Sequence, residues 1–264
     1  MDVTKHQPGM FSFADLGTPD LPGSKQFYTA FLDLELFEIP LPDGTEFCML
    51  RKRGRSAFSL YAMPDEMKQM TGGQPVWQSY FTVVSADETS ARIKELGGTV
   101  AQEPIDVMDA GRLLVAQDPT GAAFSVWQPG TQIGAEIFGE HGALAWNELY
   151  TRDTETAAQF YTGLFGWSVE KTQSGDGGEY NLFSLGGRPA AGMMEIREEW
   201  GPMPPNWSIY LAVADLDASL QRLQDLGGQQ ISPAMAVDGV GRFAFICDPQ
   251  GAYSTIIEPV PHDE

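Results

Sequence analysis

Three histidines, His6, His141 and His262, and two cysteines, Cys48 and Cys247, are the side chains best able to bind a transition metal or act as nucleophiles. Their spacing argues against both roles. The histidines fall in an N-terminal tail, a mid-chain linker and a C-terminal tail, so each reads as a solvated imidazole. The cysteines lie in different halves without CxxC spacing and read as small apolar core residues rather than a disulfide. Arg112 and Arg242 each follow a glycine and could clamp an anion, but nearby carboxylates make ion pairing the stronger expectation. Gly97-Gly98 and Gly227-Gly228 follow expected helices instead of preceding them, which removes the helix N-terminus that binds phosphate. Asp118-Pro119-Thr120-Gly121 and Asp248-Pro249-Gln250-Gly251 carry turn chemistry: Pro presets one φ and Gly supplies a positive one.

Charge narrows the partners. With 16 Lys and Arg against 36 Asp and Glu, the formal net charge is −20. Such a surface repels phosphate backbones and anionic lipid, so neither nucleic acid nor membrane is expected as a partner. No apolar run approaches about 18 residues, and the N-terminus lacks a signal-peptide pattern, so the expected location is cytoplasmic. Apolar residues make up 42% of the chain, enough for a real core in each of two domains of about 130 residues.

The elements that position these residues are duplicated. Gln26-Phe27-Tyr28-Thr29 recurs 133 residues later as Gln159-Phe160-Tyr161-Thr162. The Leu-Gly-Gly, Gly-Arg and Asp-Pro-x-Gly-Ala motifs, and the Trp77–Trp207 pair, all recur at an offset of 130. One register kept over this length marks an internal repeat. Domain one is expected at 8–130, domain two at 140–260, with a Gly-rich linker at 129–142. Within the first half, alternation predicts a strand at 11–16, 3- and 4-residue spacing a helix at 22–33, and extended segments follow near 35–40, 45–51 and 56–62. The order then restarts with a strand at 79–84, a helix at 87–96 closed by Gly97-Gly98, and strands near 99–104, 112–118 and 122–128. Each half thus reads as two βαβββ modules. The fold class is α+β, with four modules paired into two domains.

Asp15-Leu16-x-Thr18-Pro19-Asp20, Phe27-Tyr28, the helix closed by Leu-Gly-Gly, Gly-Arg and Asp-Pro-x-Gly together resemble the vicinal oxygen chelate superfamily, which holds glyoxalase I, extradiol dioxygenases and bleomycin-resistance proteins. The second half repeats the pattern as Glu148-Leu149-x-Thr151-Arg152-Asp153, Phe160-Tyr161 and Phe165-Gly166-Trp167. The style is that of the tandem two-domain branch often labelled hydroxylase. The resemblance implies a half-open sheet around a cavity in each half. In metal-using members, His, Gln or Glu ligands sit on the first and last strands of each module and leave positions for a substrate's paired oxygens.

Carried over residue by residue, those ligand slots hold other chemistry. The opening-strand slots fall on Phe13 and Trp146, and the closing-strand slots on Ser125 and Thr255. The remaining slots fall at Gln78 or Ser79, Ser208 or Ile209, 59–61 and 193–195. Gln78 and Glu195 alone could ligate, and they lie in different halves, so no metal and no cofactor is expected. If Phe13 and Trp146 face the cavities, Asp15 and Glu148 share their face, since strand residues alternate. Tyr80 and Tyr210 occupy equivalent places on the facing strands, as do Trp127 and Ile257 on the closing ones. The expected ligand set is therefore Phe13, Asp15, Tyr80, Ser125, Trp127, Trp146, Glu148, Tyr210 and Thr255. A carboxylate in an aromatic cavity suits a neutral or cationic ligand, or serves as general base if burial raises its pKa; Asp15 and Glu148 are the candidates. They could instead be structural acceptors of backbone hydrogen bonds. Three functions stay open: a metal-free protein binding a small apolar or aromatic molecule, a metal-dependent lyase or dioxygenase acting on a small carbonyl or vicinal-oxygen compound, and an interaction protein with vestigial pockets. A monomer or weak homodimer would be complete.

Overall fold

A computed structural model describes residues 1–40, 44–173 and 178–260. Its first half runs β1 (Phe11–Thr18), α1 (Leu21–Leu32), β2 (Glu35–Pro40), β3 (Glu46–Lys52), β4 (Arg55–Ala62), α2 (Asp65–Thr71), β5 (Val76–Thr82), α3 (Ala86–Glu95), β6 (Thr99–Val107), β7 (Gly111–Gln117) and β8 (Ala123–Pro129). The second half runs β9 (Leu144–Thr151), α4 (Thr154–Phe165), β10 (Ser168–Gln173), β11 (Glu179–Leu185), β12 (Arg188–Glu195), a 3-10 turn at Glu198–Trp200, β13 (Asn206–Ala212), α5 (Leu216–Asp225), β14 (Gln229–Gln230), β15 (Met235–Val237), β16 (Gly241–Cys247) and β17 (Tyr253–Pro259).

These elements form two mixed sheets. The first has the order β2-β3-β4-β1-β5-β8-β7-β6, and the second β10-β11-β12-β9-β13-β17-β16-β14, with β15 on β16. Each sheet joins its two modules through an antiparallel central pair, β1 with β5 and β9 with β13. On either side of that pair lies a parallel partner, the last strand of the same module. The four βαβββ modules are therefore present. Two departures have local causes. In the fourth module the expected single strand is split into β14 and β15 around Ser232-Pro233, because Pro has no N–H for the ladder. The extra helix α2 begins after Pro64 with Asp65 and Glu66 in its first turn and ends at Gly72, whose φ of 63° closes it.

Helices start and stop where short polar residues and glycines dictate. Asp20, Ser85, Asp153 and Asp215 cap α1, α3, α4 and α5 by accepting a backbone N–H two or three residues into each helix. Gly97 and Gly98 close α3 through hydrogen bonds to the Lys94 and Ile93 carbonyls. The helices cover one face of each sheet: Tyr28 of α1 packs edge-on against Phe58 and Trp77.

These covered faces then meet. α1 lies against α5 and α3 against α4, and one hydrophobic cluster runs through both halves. Phe81 touches Trp167 and Trp207 across the junction. The repeat also explains the Asp-Pro-x-Gly turns. The Tyr28 hydroxyl donates to Asp248 of the other half at 2.9 Å, and the Tyr161 hydroxyl donates to Asp118 at 3.0 Å. Each aspartate's second oxygen accepts its own turn's N–H groups. The turn therefore shapes a hairpin and clasps the partner domain. Cys48 and Cys247 are buried free thiols. Arg112 pairs with Asp87 and Asp106, and Arg242 with Asp217 and Glu258. No helix among the described residues is long and apolar enough to cross a membrane.

Candidate functional site

The face of the first sheet opposite its helices carries the candidate chemistry. Strand alternation sends Ala14 and Leu16 into the core and puts Phe13, Asp15 and Gly17 on the other side. Register then fixes their neighbours: Asp15 lies beside Gln78 and Ser59, Phe13 beside Tyr80, and Tyr80 beside Ser125. Of the helices, α2 reaches this face, through Met67 at Tyr61; Asp15 is 6% exposed, Tyr80 9%, and Ser59 and Ser125 0%. The sheet therefore curls round them into a cup.

Within the cup the Tyr80 hydroxyl donates to Asp15 Oδ2 at 2.5 Å, and Asp15 Oδ1 has no partner. Burial pushes the Asp15 carboxyl up to about 7, against the opposing effect of the Tyr80 hydrogen bond. Ser59 Oγ, Ser125 Oγ and Gln78 Nε2 are also buried without partners. Phe13 meets Tyr80 edge-on at 5.9 Å, and half-buried Trp127 is fixed by donating to the Gln132 carbonyl at 2.8 Å. Gly17 leaves room for Tyr61: a Cβ there would lie 2.6 Å from the Tyr61 hydroxyl, which donates to Met67 of α2. Arg51, two residues along β3 from Met49, stacks over Phe37 at 4.0 Å with a buried Nε that has no partner among the described residues. A buried polar atom without a partner costs about 1–3 kcal/mol. Four in one cup favour an occupant that completes their hydrogen bonds.

The second domain places its equivalents together and satisfies its carboxylate internally, although Thr255 Oγ1, like Ser125 Oγ, is buried without a partner. Glu148 Oε1 accepts from Tyr150 at 2.5 Å and from Tyr210 at 3.0 Å, and Oε2 accepts from Tyr180 at 2.8 Å. Burial raises the Glu148 pKa and the three hydroxyls hold it back. Trp146 Nε1 donates to Tyr180 at 3.3 Å, and Thr255 lies beside Tyr210. The difference has a residue-level cause: Tyr150 stands where the first domain has Gly17, and its ring reaches Phe245 across the sheet. Gly192 leaves the space that the Tyr180 hydroxyl fills. Among the described residues neither carboxylate takes a backbone hydrogen bond, so tyrosine clamps stand where the backbone-acceptor role was expected as an alternative.

Sequence reasoning placed a slot at 59–61, which holds Ser59 and Tyr61, and missed Tyr150, Tyr180, Gly17 and Gly192. Tyr150 was recoverable, because alternation places it on the Glu148 face. The same holds for Gly17 on the Asp15 face, whereas Tyr180 and Gly192 arrive through strand register, which no local pattern encodes.

The superfamily's metal finds no matching donor set here. The slots on either side of Asp15 hold Phe13 and Ser125, and the described residues hold no cluster of three His, Cys, Asp or Glu. His6 bonds the Ala135 carbonyl, and His141 accepts from Ala214 N and faces Asp33. Glu195 is exposed at the end of β12, and His262 lies outside the described residues.

Comparison with known proteins agrees with the architecture. The profile of the Glyoxalase/Bleomycin resistance protein/Dioxygenase superfamily matches residues 11–126 and 143–253. The chain is 33% identical over 262 residues to "Putative glyoxylase CFP32" of Mycobacterium tuberculosis, covering 98% of each. It is 31% identical over 265 residues to the anthracycline biosynthesis protein DnrV of Streptomyces peucetius, covering 97% of this chain and 95% of the relative. Among solved structures, the Mn(II)-bound glyoxalase of Novosphingobium aromaticivorans aligns with a TM-score of 0.66 at 16% identity, over 97% of this chain and 86% of that one. The 2,3-dioxygenase LapB of Pseudomonas sp. KL28 aligns at 0.68 and 15% identity, over 99% and 96%. At these identities the structural matches speak for fold alone, whereas the profile and full-length relatives speak for descent. By its two matched repeats and its paired βαβββ sheets, the chain belongs to the glyoxalase/bleomycin resistance/dioxygenase superfamily.

Proposed function

We propose that the cup of the first domain binds a small neutral aromatic molecule bearing a hydroxyl or carbonyl group, without a metal. The observation that carries this reading is the unpartnered, fully buried Asp15 Oδ1 beside the Tyr80 hydroxyl. A ligand hydroxyl would donate to that oxygen, and a ligand carbonyl would accept from Gln78 Nε2 or the serine hydroxyls. Phe13, Tyr61 and Trp127 supply aromatic walls. The names of the DnrV and DauV relatives, anthracycline biosynthesis proteins, favour a hydroxylated polycyclic ligand. In the second domain Glu148 is already saturated by three hydroxyls, so that cup serves structure.

The pKa of about 7 supports a second reading in which Asp15 moves a proton. As a carboxylate it would take a proton from a bound ligand's acidic C–H or O–H, with Tyr80 holding the oxygen in place. Returning that proton to another atom of the same molecule gives an isomerisation that needs no further reactant.

Titration with 1,8-dihydroxyanthraquinone in chelator-containing buffer, followed by tryptophan quenching, tests the reading. Saturable one-to-one binding that weakens about tenfold in Asp15→Asn and stays unchanged in Glu148→Gln is expected. No saturation, or equal loss in both variants, removes the assignment to the first cup.

A further inference from the structure

The second domain carries an opening that the first domain has closed. In the first domain the linker seals the leading ends of β1 and β4: Ala135 N donates to the Ser12 carbonyl at 2.9 Å, Glu136 N to the Ser56 carbonyl at 2.7 Å, and Ser56 N to a Glu136 carboxylate oxygen at 2.9 Å. The repeat equivalents of Ser12 and Ser56, 133 residues on, are Ala145 and Pro189. These border a cleft of about 920 Å³ whose other wall is the N-terminal segment. That volume falls within the roughly 300–1,000 Å³ typical of small-molecule sites.

The lining has a definite chemistry. Trp146 forms part of it, with its ring fixed by the bond from Nε1 to the Tyr180 hydroxyl. Asn147, 0% exposed, accepts from Ser79 Oγ at 3.1 Å and keeps an Nδ2 donor without a partner. Lys5 and Arg188 stand at the rim, and no described carboxylate lies within ion-pairing distance of either. Arg188 is steadied by donating to the Gln7 side-chain oxygen. No described Asp or Glu lines the cleft, although the chain carries 36 of them. On a molecule of net charge −20, two cations with no described carboxylate partner, around an aromatic cleft with no described acid in its lining, make a local site of opposite sign.

We infer that this cleft binds an aromatic carboxylate, with its ring against Trp146 and its carboxylate held by Arg188 and Lys5. Arg suits this role because its planar fork matches the two carboxylate oxygens, while Lys adds a point charge. The site is separate from the Asp15 cup and takes the opposite ligand charge, so each stands or falls without the other.

Calorimetric titration of the full chain with 2-naphthoate tests it, with neutral methyl 2-naphthoate as comparator. The acid is expected to bind at least tenfold more tightly than the ester. Arg188→Gln should weaken the acid about tenfold and leave the ester unchanged, and Asp15→Asn, whose cup takes neutral ligands such as the ester, should leave the acid unchanged. Because Arg188 and Lys5 are exposed, Arg188→Gln and Lys5→Gln should melt as the parent does, so lost binding cannot be lost folding. Equal affinity for acid and ester, full affinity in Arg188→Gln, or loss of the acid in Asp15→Asn would each overturn the assignment.

Discussion

Replacing Asp15 by Asn should make the protein's stability less sensitive to pH. Burial raises the Asp15 carboxyl from 3.8 to about 7, so the native state holds this proton to higher pH than the unfolded chain does. The stability gained by holding the proton is full below pH 3.8 and is lost as pH rises through 7. Linkage between those two values gives a loss of about 2 kcal/mol between pH 5.5 and 8.5 from this one group. Asn keeps an oxygen for the Tyr80 hydroxyl and has no proton to release in this range, so the variant lacks that loss. All other titrating groups act in both proteins and cancel in the comparison. Urea unfolding at both pH values, followed by circular dichroism, should show Asp15→Asn gaining about 2 kcal/mol on the parent as pH rises. Parallel losses in the two proteins would show that Asp15 titrates as an ordinary solvated carboxyl, and the buried cup would then be misread.

Other consequences follow from the same contacts. Tyr161→Phe should destabilise by about 2 kcal/mol and Tyr28→Phe by somewhat less, because Tyr161 also accepts from Trp207 Nε1 at 2.9 Å; equal thermal shifts would refute the distinction. Gly192→Ala should cost about 1–3 kcal/mol by pushing its Cβ into the Tyr180 hydroxyl, and Tyr180→Phe in the same chain should recover part of that in urea unfolding. Gly17→Ala should disturb Tyr61 in the first cup and weaken anthraquinone binding there, with little effect on 2-naphthoate affinity.

Much of the fold was legible because its signals are local. The Phe-Tyr repeat, the Gly-Gly helix stops and the Asp-Pro-x-Gly turns fixed the modules and their order. Helix α2 escaped attention although Pro64-Asp65-Glu66 and Gly72-Gly73 bracket it. The sites were less legible. Alternation put Asp15 and Glu148 on one face with Phe13 and Trp146, and that depends only on period two. Whether the two cups are alike depends on Gly17 against Tyr150, which alternation and the repeat could have shown, and on Tyr180 arriving from β11, which is a matter of register. The Asp118–Tyr161 and Asp248–Tyr28 clasps show a further limit: a motif read as a turn also joined the domains, and nothing local to the turn signals its distant donor.

A crystal structure of the full chain with 1,8-dihydroxyanthraquinone, grown with a chelator present, bears most directly on how the first domain works. The expected density shows the ring system between Phe13 and Trp127, a ligand hydroxyl on Asp15 Oδ1, and no ion in the cup. A ligand held through a divalent cation, or seated against Glu148 with Asp15 Oδ1 left bare, would contradict it.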